Sequence, residues 1–213
     1  MALFITFEGL DGSGKSTHLE RAARWLESQG VRFVKTHEPG GTEIGLGIRK
    51  LLLDHRHARM DGRVELLLMF ADRRQHLVET IEPALAAGFH VLCDRFTDST
   101  IAYQGYGRGL PLEEVDEVDR FSTSRRRPDR TLYFDLPAAA ARRRGHSGHR
   151  RRSGNVDRLD AEELAFYERV RSGYLEQSRR EPGRFRVVDS STSIVATELA
   201  VREALADLVS EAR

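Results

Sequence analysis

The sequence holds one cysteine in 213 residues, so no internal disulfide can form and stability must come from a packed core. That residue, Cys93, lies in the apolar run "FHVLC", which reads as a buried strand position. No stretch approaches the roughly 20 consecutive apolar residues of a membrane span. The first residues, "MALFITFEG", show no basic leader and no small-residue cleavage site, so a first strand is expected there rather than a signal peptide. The expected location is cytoplasmic. No charge excess of either sign stands out: the formal net charge is +1, which argues against a dedicated nucleic-acid-binding protein. No internal repeat is visible. With 39% hydrophobic and 31% charged residues, the chain has the composition of a globular protein with a sizeable core.

Five short β-rich apolar runs are present: "LFITF" (3–7), "VRFVKT" (31–36), "FHVLC" (89–93), "TLYFDL" (131–136) and "RFRVV" (184–188). Several are apolar at successive positions, as in strands covered on both faces. Helical patterns lie between them: 16–29 closed by Gly30, 62–88 closed by Gly88, 159–180 before Pro182, and 193–212 with Ile194, Val201, Leu205 and Leu208 on one side. Strands alternating with helices imply a parallel sheet inside a three-layer α/β domain, here one domain spanning 1–213. The compositional break is "ARRRGHSGHRRRSGN" (141–155), expected to be a mobile excursion.

The first strand runs into "GLDGSGKS", Gly9 to Ser16, which fits G-x-x-x-x-G-K-[S/T] between a strand and a helix. Gly12 and Gly14 let the backbone turn tightly and bring N–H groups to phosphate oxygens. The free amides of the helix starting near Lys15 attract anions. The Lys15 ammonium is expected on the β- and γ-phosphates of a nucleoside triphosphate and the Ser16 hydroxyl on Mg²⁺. The expected cradle is Gly9, Leu10, Asp11, Gly12, Ser13, Gly14, Lys15, Ser16 and Thr17. "HEPGGT" (37–42) follows the second strand, "DRF" (94–96) follows the third and runs into "TDSTIAYQGYGRG", and Arg73 and Arg74 lie on the long helix. All these strand-end segments should line one crevice with the glycine loop.

"FEGLDGSGKST", "EPGGT", "IRKLLLD", "ADRRQH", "DRFTDSTIAYQG", "RPDRTLYFDL" and "DRLDAEELAFYERVRSGYLE", in that order, strongly resemble bacterial thymidylate kinases over almost the whole chain. The resemblance implies a P-loop kinase fold with a five-stranded parallel sheet and a mobile arginine-rich lid at about 141–157. It implies transfer of the ATP γ-phosphoryl group to dTMP, giving dTDP and ADP, and a homodimer joined through helices. Another P-loop kinase of a nucleoside or monophosphate, or an ATP-switched nucleic-acid-binding module, are the competing readings; the paired acceptor motifs speak against the latter.

An acceptor monophosphate is a dianion near neutral pH and needs no strong general base, so cations and alignment carry the reaction. Arg95 is expected to grip the acceptor phosphate and the transferring group. Asp94 would support hydrated Mg²⁺ together with Ser16, or form a structural pair with Arg95. The resemblance places Asp11 close to the acceptor sugar and phosphate, Glu38 and Arg49 near the nucleotide, and Arg73, Ser99, Thr100 and Gln104 around the thymine. Phe70 is the candidate for stacking on the base, although many members carry an aromatic four residues before the arginine, where this chain has Met69. His37 replaces the arginine of the usual "REPGGT", which puts a cationic role there in doubt. Arg142–Arg144 and Arg150–Arg152, with no acid among residues 142–152, dominate the chain's positive charge. With Gly12 and Ser13 in the loop, the chain resembles members whose catalytic arginine lies in the lid, so one of Arg143, Arg144, Arg150 or Arg151 is expected there, with Arg150 as the candidate.

Overall fold

The computed structural model describes residues 1–152 and 162–211, with the side chains of 1–145 and 162–209. The five β-rich runs form strands β1 (Phe4–Gly9), β2 (Phe33–His37), β3 (His90–Asp94), β4 (Arg130–Asp135) and β5 (Phe185–Asp189). All four pairings are parallel, in the order β2-β3-β1-β4-β5. β1 sits at the centre and is buried along its whole length, which explains its lack of polar alternation.

Alternation in β1 sends Ile5 and Phe7 to one face of the sheet. There they pack with Leu92, Leu132 and Phe134 under helix α1 (Lys15–Ser28) and helix α9 (Ile194–Ala204). Phe4, Thr6 and Glu8 point to the other face. That layer contains helix α8 (Leu164–Arg180) and a helical segment made of α5 (Thr97–Thr100) and a π-helical stretch, Ile101–Gly107. Leu10, Tyr103, Tyr133, Phe166, Val170 and Tyr174 form its apolar cluster.

The second face also carries a buried polar seam that hydrophobic patterning does not show. Thr6 and Thr131 hydroxyls lie 3.0 Å apart. Asp98, fully buried, accepts from Thr131 at 2.9 Å and from both terminal nitrogens of Arg184, at 2.7 and 2.9 Å. A carboxylate there is tolerable because its lone pairs are filled.

The expected helix 62–88 divides into α3 (Gly62–His76), a π-helical turn (Leu77–Ile81) and α4 (Glu82–Ala86). The last pattern likewise divides into α9 and α10 (Ala206–Glu211). Two helices were not expected, α2 (Glu43–Leu53) and α6 (Leu112–Thr123). α2 is capped by Thr42, whose side chain accepts from the Gly45 amide at 3.0 Å.

The arginine run begins inside helix α7 (Ala138–Arg152). Alanines 138–141 favour helix, and Ala141 and Gly145 are buried against the glycine loop. A Cβ on Gly12, whose φ is +84°, would lie 2.2 Å from the Ala141 carbonyl oxygen and 2.5 Å from the Gly145 nitrogen. Gly12 therefore serves a left-handed turn and a close backbone approach at once. Residues 153–161, which include the end of the expected lid, lie outside the described residues, as does the Arg150 side chain.

The π-helical stretch and α8 meet through small residues. A Cβ on Gly107 would lie 2.7 Å from Phe166, and one on Gly173 would lie 2.7 Å from the Tyr106 ring. Gly107→Ala and Gly173→Ala should each destabilise the protein by about 1–3 kcal/mol through overpacking. Gly47→Ala, whose Cβ would meet nothing within 4 Å, should not destabilise it. Urea unfolding midpoints of the three variants check this.

Candidate functional site

The carboxyl ends of the strands deliver the glycine loop, the 37–42 segment and the 94–96 segment to one edge of the sheet, as the topology requires. Two cavities open along that edge. One, of about 710 Å³, is lined by Asp11 to His18, from the loop and the first turn of α1, and by Asp94, Arg144, Ser190 and Thr197. The other, of about 120 Å³, is lined among others by Met69, Asp72, Arg73, Ser99, Thr100 and Gln104. They share Asp11, Glu38, Arg49 and Arg95, so the two spaces meet at a boundary with two arginines.

At that boundary Asp11 Oδ1 accepts from Lys15 Nζ at 2.9 Å and from Arg95 Nη2 at 2.8 Å. Burial opposes ionisation of Asp11, but the Arg95 guanidinium and the Lys15 ammonium overcome it and hold the carboxyl well below its usual range. The acid partner of Arg95 is therefore Asp11; the structural Asp94–Arg95 pair considered from sequence is not the arrangement found. Arg95 has φ +72°, an unfavourable conformation for a residue with a side chain. Its strand-side neighbours hold it: the Arg95 amide donates to Phe7 O at 3.1 Å, and Nη1 donates to Ser99 Oγ at 3.0 Å and to Tyr174 OH at 3.3 Å.

Behind Arg95 lies Glu8, fully buried at the end of β1. It accepts from the Phe96 amide at 2.7 Å, from Ser99 Oγ at 2.5 Å and from Tyr174 OH at 3.0 Å. Burial, reinforced by the Asp98 carboxylate, pushes its pKa up to about 7, against the lowering effect of Ser99, Arg95 and the Phe96 amide. Neither Glu8 nor Tyr174 was singled out from sequence. Glu8 sits in a strand pattern, and only its position beside the loop motif could have flagged it.

Asp94 accepts from Ser16 Oγ at 2.5 Å through Oδ2, while its Oδ1 is buried without a hydrogen-bond partner. A carboxylate oxygen with an open lone pair, next to a hydroxyl and the phosphate cradle, is the donor set Mg²⁺ takes when it shares a site with phosphates. These two residues fit the ion.

In the smaller cavity, Glu38 Oε2 accepts from Arg73 Nε at 2.9 Å and Oε1 contacts His76 Nδ1 at 2.8 Å. Arg73 Nη1 donates to Thr100 Oγ1 at 3.1 Å, and its guanidinium lies 4.9 Å from the ring centroids of both Phe70 and Phe96. Arg49 donates to the Pro39 carbonyl at 2.7 Å. Arg74 is exposed, so Arg73 is the arginine of this cavity. The expectation for Phe70 needs correction. It is buried with Leu66 and Val115 and does not line the cavity, whereas Met69, one residue earlier, does. The reason is helical rotation: a step of one residue turns the side chain by about 100°.

Asp72 and Tyr103 also line this cavity and were not anticipated. Asp72 accepts from the Gly40 amide at 2.9 Å, and burial together with the nearby Glu38 raises its pKa to about 6. The "EPGGT" spacing has a steric basis, since a Cβ on Gly41 would lie 2.5 Å from the His76 ring. His37 lines the larger cavity, where partial desolvation and the Arg49 guanidinium lower its pKa. The loop beyond Asp189 contributes Ser190 and Thr192 to the larger cavity, and the start of α9 contributes Ile194. From α7, Arg144 lines it as well and donates to the Ser190 carbonyl at 3.1 Å.

A family model described as thymidylate kinase matches residues 7–201, which include every segment that builds this edge. The chain belongs to the thymidylate kinase family. Curated family members include the thymidylate kinase of Nitrosomonas europaea, 45% identical over 98% of this chain and 94% of the relative. That of Cupriavidus metallidurans is 47% identical over 96% and 98%, and that of Desulfosudis oleivorans 48% identical over 88% and 89%. Membership accounts for the pairing of a glycine loop with an "EPGGT" segment and a "DRF" segment across one boundary. Among the described residues, no helix is long and apolar enough to cross a membrane.

The Glu8 carboxyl gives the site a pH signature. Its folded pKa lies above that of an unfolded glutamate, so its contribution to stability is full below the ordinary range and is lost as pH rises to about 7. Asp72 acts in the same sense up to about 6. Asp11 acts oppositely, but below the ordinary aspartate range. Glu8→Gln should therefore flatten the fall in thermal midpoint between about pH 5 and 7.5. Equal slopes for the variant and the parent would contradict the assignment.

Proposed function

We infer that the protein transfers the γ-phosphoryl group of ATP to dTMP, giving dTDP and ADP, with the whole chain 1–213 acting as one unit. The observation that carries this reading is the boundary between the two cavities, where Lys15 and Arg95 converge on one oxygen of Asp11. A donor triphosphate in the larger cavity and an acceptor monophosphate in the smaller one would meet there, end to end.

The contacts support the following roles. Amides of Gly9 to Thr17 cradle the donor phosphates, and Lys15 leaves Asp11 for the β- and γ-oxygens. Arg95 grips the acceptor phosphate with a planar fork of donors while Glu8, Ser99 and Tyr174 keep the fork in place. Ser16 and Asp94 would hold Mg²⁺, which would neutralise charge on the phosphate oxygens. Because dTMP is already nucleophilic as a dianion, no residue needs to abstract a proton; the side chains remove repulsion and align oxygen with phosphorus. Arg73, Ser99, Thr100 and Gln104 surround the base, with Met69 against it in place of Phe70. Glu38 and Arg49 border both nucleotides. Arg144 is the lid arginine that the described side chains support for the donor phosphates. The catalytic assignment of Arg150 falls outside the described residues.

The same reading includes a homodimer. α2 and α3 carry exposed Ile44, Leu46, Leu51, Val64 and Leu67. An apolar face of this kind suits pairing with a second copy. Leu67→Glu should shift the protein from dimer to monomer in sedimentation velocity runs, and an unchanged sedimentation coefficient would exclude this face.

Coupled assays across dTMP, dUMP, dCMP and AMP test the acceptor, with dTMP expected to give the highest kcat/KM. Lys15→Ala and Arg95→Lys should each lower kcat by about 10²–10³-fold, the usual loss when a donor to developing charge is removed. Near-normal turnover by Lys15→Ala would overturn the phosphate-cradle assignment.

A further inference from the structure

Gln104 reaches the acceptor cavity from the π-helical stretch Ile101–Gly107 and is 1% exposed. Its amide has two different ends, and which end faces the cavity decides what a bound base must offer. Gln104 Nε2 donates to Glu65 Oε1 at 2.8 Å, whereas Gln104 Oε1 is buried without a hydrogen-bond partner. Glu65, on α3, is fully buried and does not line the cavity. The Arg108 guanidinium donates to each Glu65 oxygen at 3.3 Å. Both Glu65 oxygens thus serve as acceptors, Oε1 for Gln104 Nε2 as well as for Arg108. The Gln104 NH₂ group thus faces Glu65, and its carbonyl oxygen turns away from Glu65.

We propose that Glu65 is a positioning residue for base selection: it locks the Gln104 amide with its carbonyl oxygen toward the acceptor cavity, so that the site accepts pyrimidines carrying a ring N–H and rejects those carrying a ring nitrogen lone pair. The inference rests on reading that cavity as the base site. Arg73, which can only donate, lines the same cavity. An acceptor and a donor lining one cavity complement the N–H and carbonyl edge of a lactam pyrimidine such as thymine or uracil. The amino-pyrimidine edge of cytosine presents the opposite pair. It would set a ring nitrogen lone pair against Gln104 Oε1 and an amino group against Arg73, leaving buried groups unpaired. The 5-methyl group plays no part in this contact, so thymine and uracil are not separated by it.

A double-mutant cycle on the full chain distinguishes this role from a merely structural one. Values of kcat/KM for dTMP, dUMP and dCMP are measured in the parent, Glu65→Gln, Gln104→Ala and the double variant. A glutamine at 65 can donate or accept, so it releases the Gln104 amide. Glu65→Gln is expected to raise the dCMP:dTMP ratio by about tenfold or more, the loss of roughly one well-placed hydrogen bond, and to leave the dUMP:dTMP ratio unchanged. In the Gln104→Ala background, Glu65→Gln should change the dCMP:dTMP ratio no further. An unchanged ratio in Glu65→Gln, or the same change in both backgrounds, overturns the proposal. A parent enzyme that ignores dTMP would refute the acceptor assignment instead. The locked amide has its own readout: in ¹⁵N-labelled parent protein, the Gln104 side-chain NH₂ pair, assigned by its loss in Gln104→Ala, should exchange slowly with solvent. Rapid exchange would rule out the lock whatever the variants do.

Discussion

One oxygen of Asp11 lies within hydrogen-bonding distance of both Lys15 and Arg95, and the rest of the site is arranged around that contact. Two cations brought into one cleft repel each other before any phosphate arrives. A carboxylate between them removes most of that cost and leaves both side chains aimed at the boundary where the two cavities meet. It also fixes a distance relationship between a residue on the first loop and one at the end of β3. The parallel pairing of β1 with β3, which sets Phe7 opposite Asp94, brings those two segments side by side.

Such a centre needs rigid support, because Arg95 adopts a left-handed backbone and a buried guanidinium must have its donors filled. Support comes from the layer behind it. Glu8 binds the Phe96 amide directly and orients the hydroxyls of Ser99 and Tyr174, which in turn accept from Arg95. The seam continues through Asp98, Thr131 and Arg184 beneath α8. A helical segment that brings Ser99, Thr100 and Gln104 to the smaller cavity is thus anchored from its far side by ionic contacts rather than by apolar packing alone. Carboxylates recur as orienting groups throughout: Asp11 for the cations, Glu8 for the hydroxyls, Glu38 for Arg73, and Glu65 for Gln104.

Much of the fold was legible. The five strand runs were placed within about two residues of their observed bounds, because strands covered on both faces leave continuous apolar segments. The glycine loop was legible because its residue types and spacing are dictated by phosphate geometry. Less legible were α2 and α6. α2 exposes Ile44, Leu46 and Leu51, which blurs the apolar stripe that would have marked it, and α6 is strongly acidic. The helical start of the arginine run was also less legible, because arginine and glycine dominate it; the turn that leads into it, Ala138–Ala141, is alanine, and Ala141 packs on the loop. Phe70 was assigned to the base from its chemistry, but helix phase turns it into the core and Met69 toward the cavity.

The sequence by itself determined the strands, the phosphate loop and the family, since each is written in residue types whose physical demands are local: a backbone turn, an apolar face, a helix start. Tertiary structure decided what each charged side chain answers to. Asp94 and Asp11 both stand near Arg95 in any reading of the motifs, and only the packing shows that Asp11 takes the guanidinium while Asp94 keeps a free lone pair beside Ser16. The reason is that charge interactions in a buried site act across distances of 3 Å between residues up to 166 positions apart in the chain, a relation that no local pattern encodes.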